Sequence, residues 1–316
     1  MSCNFTLASG FYPWQTTIGK AIESSGIGLH KGDLTDITLK PAEANNGIKF
    51  IRTDLEGDNP KNSIIAHYKN VSDTNMCTTI QNDNNCSIST IEHLMAALSG
   101  SGIDNLDIEI GGPEVPIMDG SSKQFISLIE EAGIQRLPEK RKYLRILKNV
   151  QVVDGDKKCS LKPSKKMEFF ASIDFSDQVI GKQESHISMD KFNFKKHISN
   201  ARTFGFMKDV EALRRSGLGL GGSLENCIII DNNEVINSEG LRYENEFVIH
   251  KLLDAIGDIF TSGYRIQGKY EGYLCGHHMN NLLLKELFDS KDSYDIFELS
   301  DDVTDSNEYK DHLMSA

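Results

Sequence analysis

Four side chains in two helix-like runs could together perform metal-assisted hydrolysis. His250 and Asp254 are four residues apart, so on a helix both side chains lie on one face and can bind the same ion. His93 could supply a third ligand. Two histidines and one carboxylate leave a fourth position open for water, as in a catalytic zinc site. Glu92, directly before His93, could then act as a base for that water.

The spacing of His250 and Asp254 and the position of Glu92 also have ordinary structural explanations. In a chain with 9 His and 46 acidic residues, a His and an Asp four residues apart occur by chance on helices. A carboxylate in the first turn of a helix, such as Glu92, stabilises the helix dipole. The sequence alone does not decide between a ligand set and ordinary helix faces.

The runs that carry these residues have the apolar spacing of helices. Ser89 or Thr90 could cap a helix through His93, which would put Glu92 in its first turn. A second such helix is predicted over Phe247–Phe260. Each run places a histidine before a stripe rich in Leu and Ala, which indicates two related halves that meet at one site.

Strand-like and helix-like segments follow one another along the rest of the chain. Alternating or apolar runs predict strands at Asp36–Lys40, Gly47–Ile51, Asn105–Ile110, Lys148–Val153, Glu168–Phe175 and Asn226–Ile230, and one that ends near Leu274. Further helices are predicted over Lys123–Ala132, Phe206–Arg215 and Asn280–Phe288.

The chain of 316 residues is long enough for two ordinary domains. The charged stretch Pro138–Lys142 is typical of a linker. It predicts one domain over residues 1–137 and another over residues 138–289. Residues 290–316 are acidic with few aromatic side chains, which predicts a partly mobile tail.

Composition excludes several classes of function. The net charge of -12 argues against nucleic-acid binding, which needs a basic surface. Met1–Lys20 has no signal-peptide pattern and no run of about 18 apolar residues occurs, so we expect a cytoplasmic protein without a transmembrane helix. The cysteines form no CxxC pair, which indicates neither a disulfide framework nor a cysteine zinc site; they are Cys3, Cys77, Cys86, Cys159, Cys227 and Cys275.

The glycine-rich run Gly217–Gly222 satisfies the G-x-G-x-x-G pattern of dinucleotide-binding proteins. That pattern requires a strand before it and a helix after it. Here a charged helix precedes the run and a strand follows it. The glycines therefore favour close packing, or a floor for a slim ligand, over a nucleotide cofactor.

Seven motifs, in this order and spacing, make the chain resemble the UDP-3-O-acyl-N-acetylglucosamine deacetylases, the zinc amidases of lipid A biosynthesis. The motifs are Gly28–His30, Ser89–His93, Pro116–Ser121, Ala201–Phe206, Leu220–Ser223, His250–Asp258 and Gly276–Asn281. The resemblance runs from about Trp14 to Asp289. It implies an α+β fold of two similar two-layer domains, each a sheet packed on helices, with the active site between them.

The resemblance also implies the roles of the reacting groups. Zn²⁺ would be bound by His93, His250 and Asp254. The catalytic residues would be Glu92 as general base, His277 as the acid that protonates the leaving amine, Asp258 as the orienting partner of His277, Thr203 beside the oxyanion and Lys251 near the anionic part of the substrate. From the residues alone, either ring of His277-His278 could be an ordinary buried or surface residue.

Further residues would contact the substrate in such an enzyme. Phe175 would lie against the nucleotide, although a lone strand Phe is more often a core residue, and His30 would border the substrate or support the structure. Cys77 would be an extra ligand for inhibitory zinc. The acyl chain would enter a passage near Phe204, Val210, Gly219, Gly222 and Ser223.

One position departs from the family pattern. The family often has Lys or Arg three residues before the acid histidine, where this chain has Leu274. This substitution leaves the anchoring of the diphosphate or sugar open.

Two other functions compete with deacetylation of UDP-3-O-acyl-N-acetylglucosamine. One is a different metal-dependent hydrolase on the same scaffold. The other is a sugar-nucleotide binding protein with a structural metal, which would not need Glu92 and His277. For the deacetylase we expect a monomer that binds no nucleic acid and whose acyl substrate can contact a membrane surface.

Overall fold

The structure of the protein is a computed structural model, and it describes residues 11–56 and 60–299. Cys3 and the part of the predicted tail from residue 300 onward lie outside the described residues.

The first part of the chain forms short strands around two helices. The strands are β1 (Trp14–Ile18), β2 (Ile22–Ile27), β3 (Leu34–Pro41), β4 (Ile48–Arg52), β5 (Ser63–Ile65), β6 (Val71–Asp73), β7 (Thr79–Gln81), β8 (Ser87–Ile88), β9 (Leu106–Ile110) and β10 (Ile134–Lys140), and the helices are α1 (Glu92–Ser101) and α2 (Lys123–Ala132). The main sheet has the order β2-β3-β9-β4-β5.

The second part repeats this arrangement with a larger sheet. Its strands are β11 (Lys142–Ile146), β12 (Val150–Asp154), β13 (Lys157–Lys162), β14 (Met167–Asp174), β15 (Lys182–Ser188), β16 (Phe204–Phe206), β17 (Ile228–Asp231), β18 (Glu234–Val235), β19 (Arg265–Tyr273) and β20 (Tyr294–Glu298). Its helices are α3 (Lys191–His197), α4 (Met207–Arg215), α5 (Glu246–Phe260) and α6 (His277–Asp289). β19 pairs with β11, β13 and β14, so it is the centre of the sheet.

Local sequence explains why these elements form. In β9, Leu106, Ile108 and Ile110 are buried and alternate with half-buried acidic residues, as expected for a strand with one face on the core. α5 is buried on all sides, which is the pattern of a core helix. The prediction of an α+β fold, with sheets packed on helices in two units, is confirmed.

Two stretches of the chain are strands where the sequence suggested otherwise. The predicted linker Pro138–Lys142 is not irregular, because it runs from β10, which pairs with β1, into β11, which pairs with β19 and β20. The division into two domains at this point stays a prediction. The charges of β10 lie along an outer ladder: the cations of Arg136 and Lys140 lie over the ring of Trp14, at 3.8 and 4.4 Å from its centroid. The boundary expected between residues 137 and 138 falls inside β10.

The expected tail and the expected helix cap also need correction. β20 pairs with β11 along its whole length, so residues 294–298 belong to the sheet rather than to a mobile tail. α1 begins after Ile91 without a side-chain cap, so neither Ser89 nor Thr90 caps it. The Thr90 hydroxyl instead donates to Glu114 Oε1 at 3.0 Å.

Among the residues that the structure describes, the helices are too short or too polar to cross a membrane.

Candidate active site

The two helices that carry the proposed metal ligands cross each other in the centre of the molecule. α1 and α5 approach so closely that a Cβ atom added at Gly257 would overlap the backbone carbonyl oxygen of Glu92. The hydroxyl of Ser122 donates to the carbonyl oxygen of His93 at 2.7 Å and ties the next helix, α2, to the same point. The crossing brings together residues that lie more than 150 positions apart in the sequence.

At this crossing the side chains of His93, His250 and Asp254 converge. Asp254 Oδ1 lies 3.5 Å from His93 Nε2 and 3.2 Å from His250 Nε2. All three residues are buried, and their ligand atoms lie within 4.8 Å of one another. Asp254 Oδ1 has no hydrogen-bond partner. A buried carboxylate oxygen without a donor is costly, and a cation between these atoms would compensate for it.

The environment keeps the ligand atoms in the forms that a metal requires. Burial lowers the pKa of His250 to about 3, so its ring is neutral. Its Nδ1 donates to the carbonyl oxygen of Ala201 at 3.1 Å, which leaves Nε2 unprotonated and aimed at Asp254. The Lys251 ammonium donates to the other oxygen, Asp254 Oδ2, at 2.7 Å. The residues present therefore fit a divalent metal, and Lys251 orients one of its ligands.

Glu92 faces the same space from the first turn of α1. Its Oε2 accepts a hydrogen bond from the backbone N–H of Thr78 at 3.0 Å. Its Oε1 lies 3.9 Å from His277 Nε2. Burial raises the pKa of the Glu92 carboxyl above its ordinary value. A carboxylate with one fixed oxygen and one oxygen turned toward a histidine is suited to take up a proton.

His277, the first residue of α6, completes the group. Its Nδ1 donates to Asp258 Oδ2 at 2.8 Å, so Nε2 points toward Glu92. Burial opposes the charged ring, but the carboxylates of Asp258 and Glu92 outweigh it and raise the pKa of His277 to about 9. The ring is thus an imidazolium near neutral pH and can donate a proton from Nε2.

His30 and Glu114 form one wall of this space. Both ring nitrogens of His30 are buried without a hydrogen-bond partner, and burial lowers its pKa. Glu114 accepts hydrogen bonds from the backbone N–H groups of His30 at 2.7 Å and Lys31 at 2.8 Å. A Cβ atom at Gly28 would overlap the Glu114 carboxylate. This explains why the Gly28–His30 motif begins with glycine.

Most of the residues predicted for the substrate belong to the second part of the chain. The ring of Phe204 lies 5.8 Å from that of Phe175 and 6.4 Å from that of His250. The Thr203 backbone is fixed between Gly120 and Ile228 by hydrogen bonds of 2.8 Å. α4 has no fully buried residue. It contains Val210, and the loop after it contains Gly219, Gly222 and Ser223.

Cys77 does not belong to the group of converging ligand atoms. Within the described residues the ligand group contains two histidines and one aspartate and no cysteine. Burial, with a smaller effect of the Glu92 charge, raises the pKa of the Cys77 thiol to about 12. Its role as an extra ligand for excess zinc stays a prediction.

Comparison with known proteins decides which family this geometry belongs to. The family model of LpxC, the UDP-3-O-acyl N-acetylglycosamine deacetylase, matches residues 15–289. The chain belongs to this family. A UDP-3-O-acyl-N-acetylglucosamine deacetylase of Shewanella violacea is 47% identical over 285 residues, which cover 90% of this chain and 92% of the relative. Deacetylases of Shewanella sp. strain ANA-3 and Shewanella baltica are each 45% identical over 294 residues, or 92% of this chain and 95% of the relative.

The candidate site also has contacts that sequence patterns did not reveal. Thr78 bonds Glu92 through its backbone and Asp258 through its hydroxyl at 2.6 Å. Asn280 donates to Asp258 at 2.8 Å. The sequence did indicate that Asn280 lies near the site, because it follows His277 by three residues in a helix. No sequence pattern indicated Thr78, because it lies in a loop 180 residues from its partner, Asp258.

Proposed function

We propose that this protein removes the N-acetyl group from UDP-3-O-acyl-N-acetylglucosamine and releases acetate, as a step of lipid A biosynthesis. One observation carries the proposal. A potential base, Glu92 Oε1, and a potential acid, His277 Nε2, lie 3.9 Å apart beside a buried group of three metal-ligand atoms. Amide hydrolysis needs these elements: an activated water, stabilisation of an oxyanion and a proton for the amine.

The metal that best suits this ligand set is zinc, bound by His93, His250 and Asp254. Bound zinc supplies Lewis acidity, which lowers the pKa of water and polarises a carbonyl group. Lys251 holds Asp254 in position through its ammonium group. His250 presents Nε2 in neutral form, since burial lowers the pKa of its ring to about 3.

The protein's own groups would then move the protons of the reaction. Glu92 Oε1 takes a proton from water as the oxygen attacks the amide carbon, while Oε2 stays bonded to Thr78. The Thr203 hydroxyl donates to the oxyanion that forms. His277 Nε2 donates its proton to the amine nitrogen as the C–N bond breaks. The products are acetate and the protonated amine, so one water is consumed per amide, and transfer of the proton from Glu92 to His277 restores both groups.

Other residues would contact the rest of the substrate. We propose that Phe175 lies against the nucleotide and that His30 borders the sugar. The acyl chain would pass Phe204 and then the loop after α4, where glycines let methylene groups approach the backbone. We also propose that the protein acts in the cytoplasm as a monomer and that the acyl chain of its substrate can contact a membrane surface.

The direct test is to incubate the purified, zinc-loaded protein with UDP-3-O-acyl-N-acetylglucosamine and to measure acetate and free amine. We expect equal amounts of both. Glu92→Gln should lower turnover on the order of a hundredfold or more while zinc stays bound, whereas Glu131→Gln, on the exposed face of α2, should not. Absence of acetate with the zinc-loaded protein, or near-normal turnover of Glu92→Gln, would overturn the proposal.

A further inference from the structure

A buried network of hydrogen bonds lies behind His277, on the side away from the proposed metal ligands. Asp258 accepts a hydrogen bond from Thr78 Oγ1 on Oδ1 at 2.6 Å. On Oδ2 it accepts from His277 Nδ1 and from Asn280 Nδ2, both at 2.8 Å. The carboxylate that faces the proposed acid is thus held by donors from three directions.

The orientation of Asn280 is itself fixed by a residue of the central strand. The Tyr270 hydroxyl, on β19, donates to Asn280 Oδ1 at 2.6 Å. An asparagine side chain has one accepting end and one donating end. With its oxygen bonded to Tyr270, its NH2 group must face Asp258. Both residues are buried, so water does not compete for these bonds.

A second group contacts the same amide oxygen more weakly. The Cys159 thiol lies 3.7 Å from Asn280 Oδ1, and a thiol is a weak donor. Tyr270 is therefore the group that determines which way the amide points.

We infer that Asn280, oriented by the Tyr270 hydroxyl, is a positioning residue for the pair of Asp258 and His277. This inference rests on the proposed function, in which His277 donates the proton to the amine. If the amide turned, its oxygen would face a carboxylate oxygen, and the two acceptors would repel each other. Asp258 would move, and His277 Nε2 would no longer be held toward Glu92.

Charged groups from several elements face His277. They are Asp258 and Asp254 of α5 and Glu92 of α1, and the titratable ring of His30, in the loop after β2, faces it too. The substitution Tyr270→Phe changes none of them. It also keeps the ring that packs beside Phe169, at a centroid distance of 5.5 Å.

A double-mutant cycle on the deacetylase reaction tests the inference. We expect Tyr270→Phe to lower kcat about tenfold, as for the loss of one hydrogen bond, with KM changed less than about twofold. Asn280→Leu should lower kcat roughly a hundredfold because Asp258 loses a charge-assisted hydrogen bond. The double variant should be no slower than Asn280→Leu alone, since Tyr270 acts through Asn280. Cys159→Ala is the matched control and should leave kcat within about twofold.

Two kinetic results would overturn the inference. One is a Tyr270→Phe variant with the kcat of the wild type. The other is a double variant that is slower than Asn280→Leu by the full effect of Tyr270→Phe, since Tyr270 would then act by packing. If Asn280→Leu does not fold, Asn280→Ala takes its place in the cycle.

A measurement without substrate separates this inference from the proposed function. In protein labelled with 15N-histidine, NMR reports the pKa of His277 and the proton on its Nδ1. A looser Asp258 should lower the pKa of His277 in Tyr270→Phe by roughly half a unit, which corresponds to part of one hydrogen bond. An unchanged titration in Tyr270→Phe would contradict the inference even if acetate is released. A shifted titration would support it even if the true substrate proves to be another amide.

Discussion

The smallest scale of the molecule, the single residue, sets the protonation states on which the proposed reaction depends. Glu92 must be ionised to accept a proton, although burial raises its pKa. His277 must be charged to donate one, and the surrounding carboxylates raise its pKa to about 9 against the opposing effect of burial. The dependence of kcat/KM on pH should therefore be bell-shaped, with limbs that belong to the coupled groups.

The alkaline limb gives a prediction with a defined sign. Asp258→Asn removes the carboxylate that raises the pKa of His277, so the limb should move to lower pH and kcat should fall. The measurement is kcat/KM between pH 6 and 10 for the variant and the wild type, a range that includes the ordinary histidine pKa of 6.5 and the raised pKa of about 9. A limb that stays in place would mean that another group supplies the proton.

The raised pKa of His277 also makes the stability of the folded protein depend on pH. Because the folded-state pKa of His277 is raised, its contribution to stability is fully present below about 6.5 and is lost as the pH rises through about 9.

Leu274 carries a second residue-scale prediction. It stands where the family often has a cation, with a positive φ of 56° at the end of β19. A charge-assisted hydrogen bond contributes roughly 1.5 to 3 kcal/mol, or about ten- to a hundredfold in binding. Leu274→Lys should lower KM with little change in kcat, because a remote anchor binds ground and transition states equally. Leu274→Met is the uncharged control. Equal affinities of both variants for UDP would show that position 274 faces away from the nucleotide.

At this scale the sequence could predict which residues meet at the candidate site, because His93, His250, Asp254, Glu92 and His277 each stand in a short motif; their roles as ligands, base and acid stay predictions. It could not predict the contacts that hold them. Thr78 and Asp258 are separated by 180 residues, and no local pattern reports a hydrogen bond across that distance. The place of Asn280 near His277 in the same helix could be predicted, but the direction of its amide depends on Tyr270 in another element.

At the scale of elements, the crossing of α1 and α5 determines whether the ligands meet. Gly257 allows the crossing, since a Cβ atom there would overlap the Glu92 carbonyl oxygen. Gly257→Ala should push the helices apart and cost roughly 1 to 3 kcal/mol of unfolding free energy. Urea denaturation measures this loss, and zinc affinity should fall with it.

The matched control for this substitution is Gly205→Ala, because a methyl group there meets nothing within 4 Å. Equal stability of the two variants would contradict the account of the helix crossing.

The elements themselves were largely predictable from local patterns, and the exceptions have physical reasons. The alternation in β9 and the helical spacing in α5 report one-sided and complete burial. β10 was not predicted as a strand because its charges are exposed along a ladder with β1. β20 was not predicted because the residues around it are acidic, which is typical of a tail. Its pairing partner, β11, is also about 150 residues earlier in the chain.

At the scale of the whole molecule, a buried charge network joins the two parts of the chain. Asp104 Oδ2 lies 2.6 Å from Arg141 Nη2, and Asp104 Oδ1 lies 3.4 Å from Arg265 Nε. Both arginines also donate to carbonyl oxygens at the end of α1, Arg141 to Gly102 and Arg265 to Ser99. The network therefore links α1, the helix that carries His93, to the sheet of the other unit.

Loss of the acidic partner should destabilise the molecule as a whole. Asp104→Asn leaves two buried guanidinium groups without their carboxylate, which should cost about 3 to 5 kcal/mol of unfolding free energy. The control is Asp292→Asn, which breaks a pair with Lys148 on the surface and should change stability little. Equal urea midpoints for both variants would contradict a role for the network in joining the two units.

The central claim is that one zinc ion at His93, His250 and Asp254 enables amide hydrolysis, and a metal titration tests it most directly. Protein stripped with a chelator should release no acetate, and activity should rise with added zinc until one equivalent per chain is bound. His250→Ala should bind little zinc and stay inactive, because two ligands form an incomplete site, whereas His197→Ala, at an exposed helix end, should titrate like the wild type. Full activity of the stripped protein, or full zinc occupancy with wild-type turnover in His250→Ala, would contradict the account.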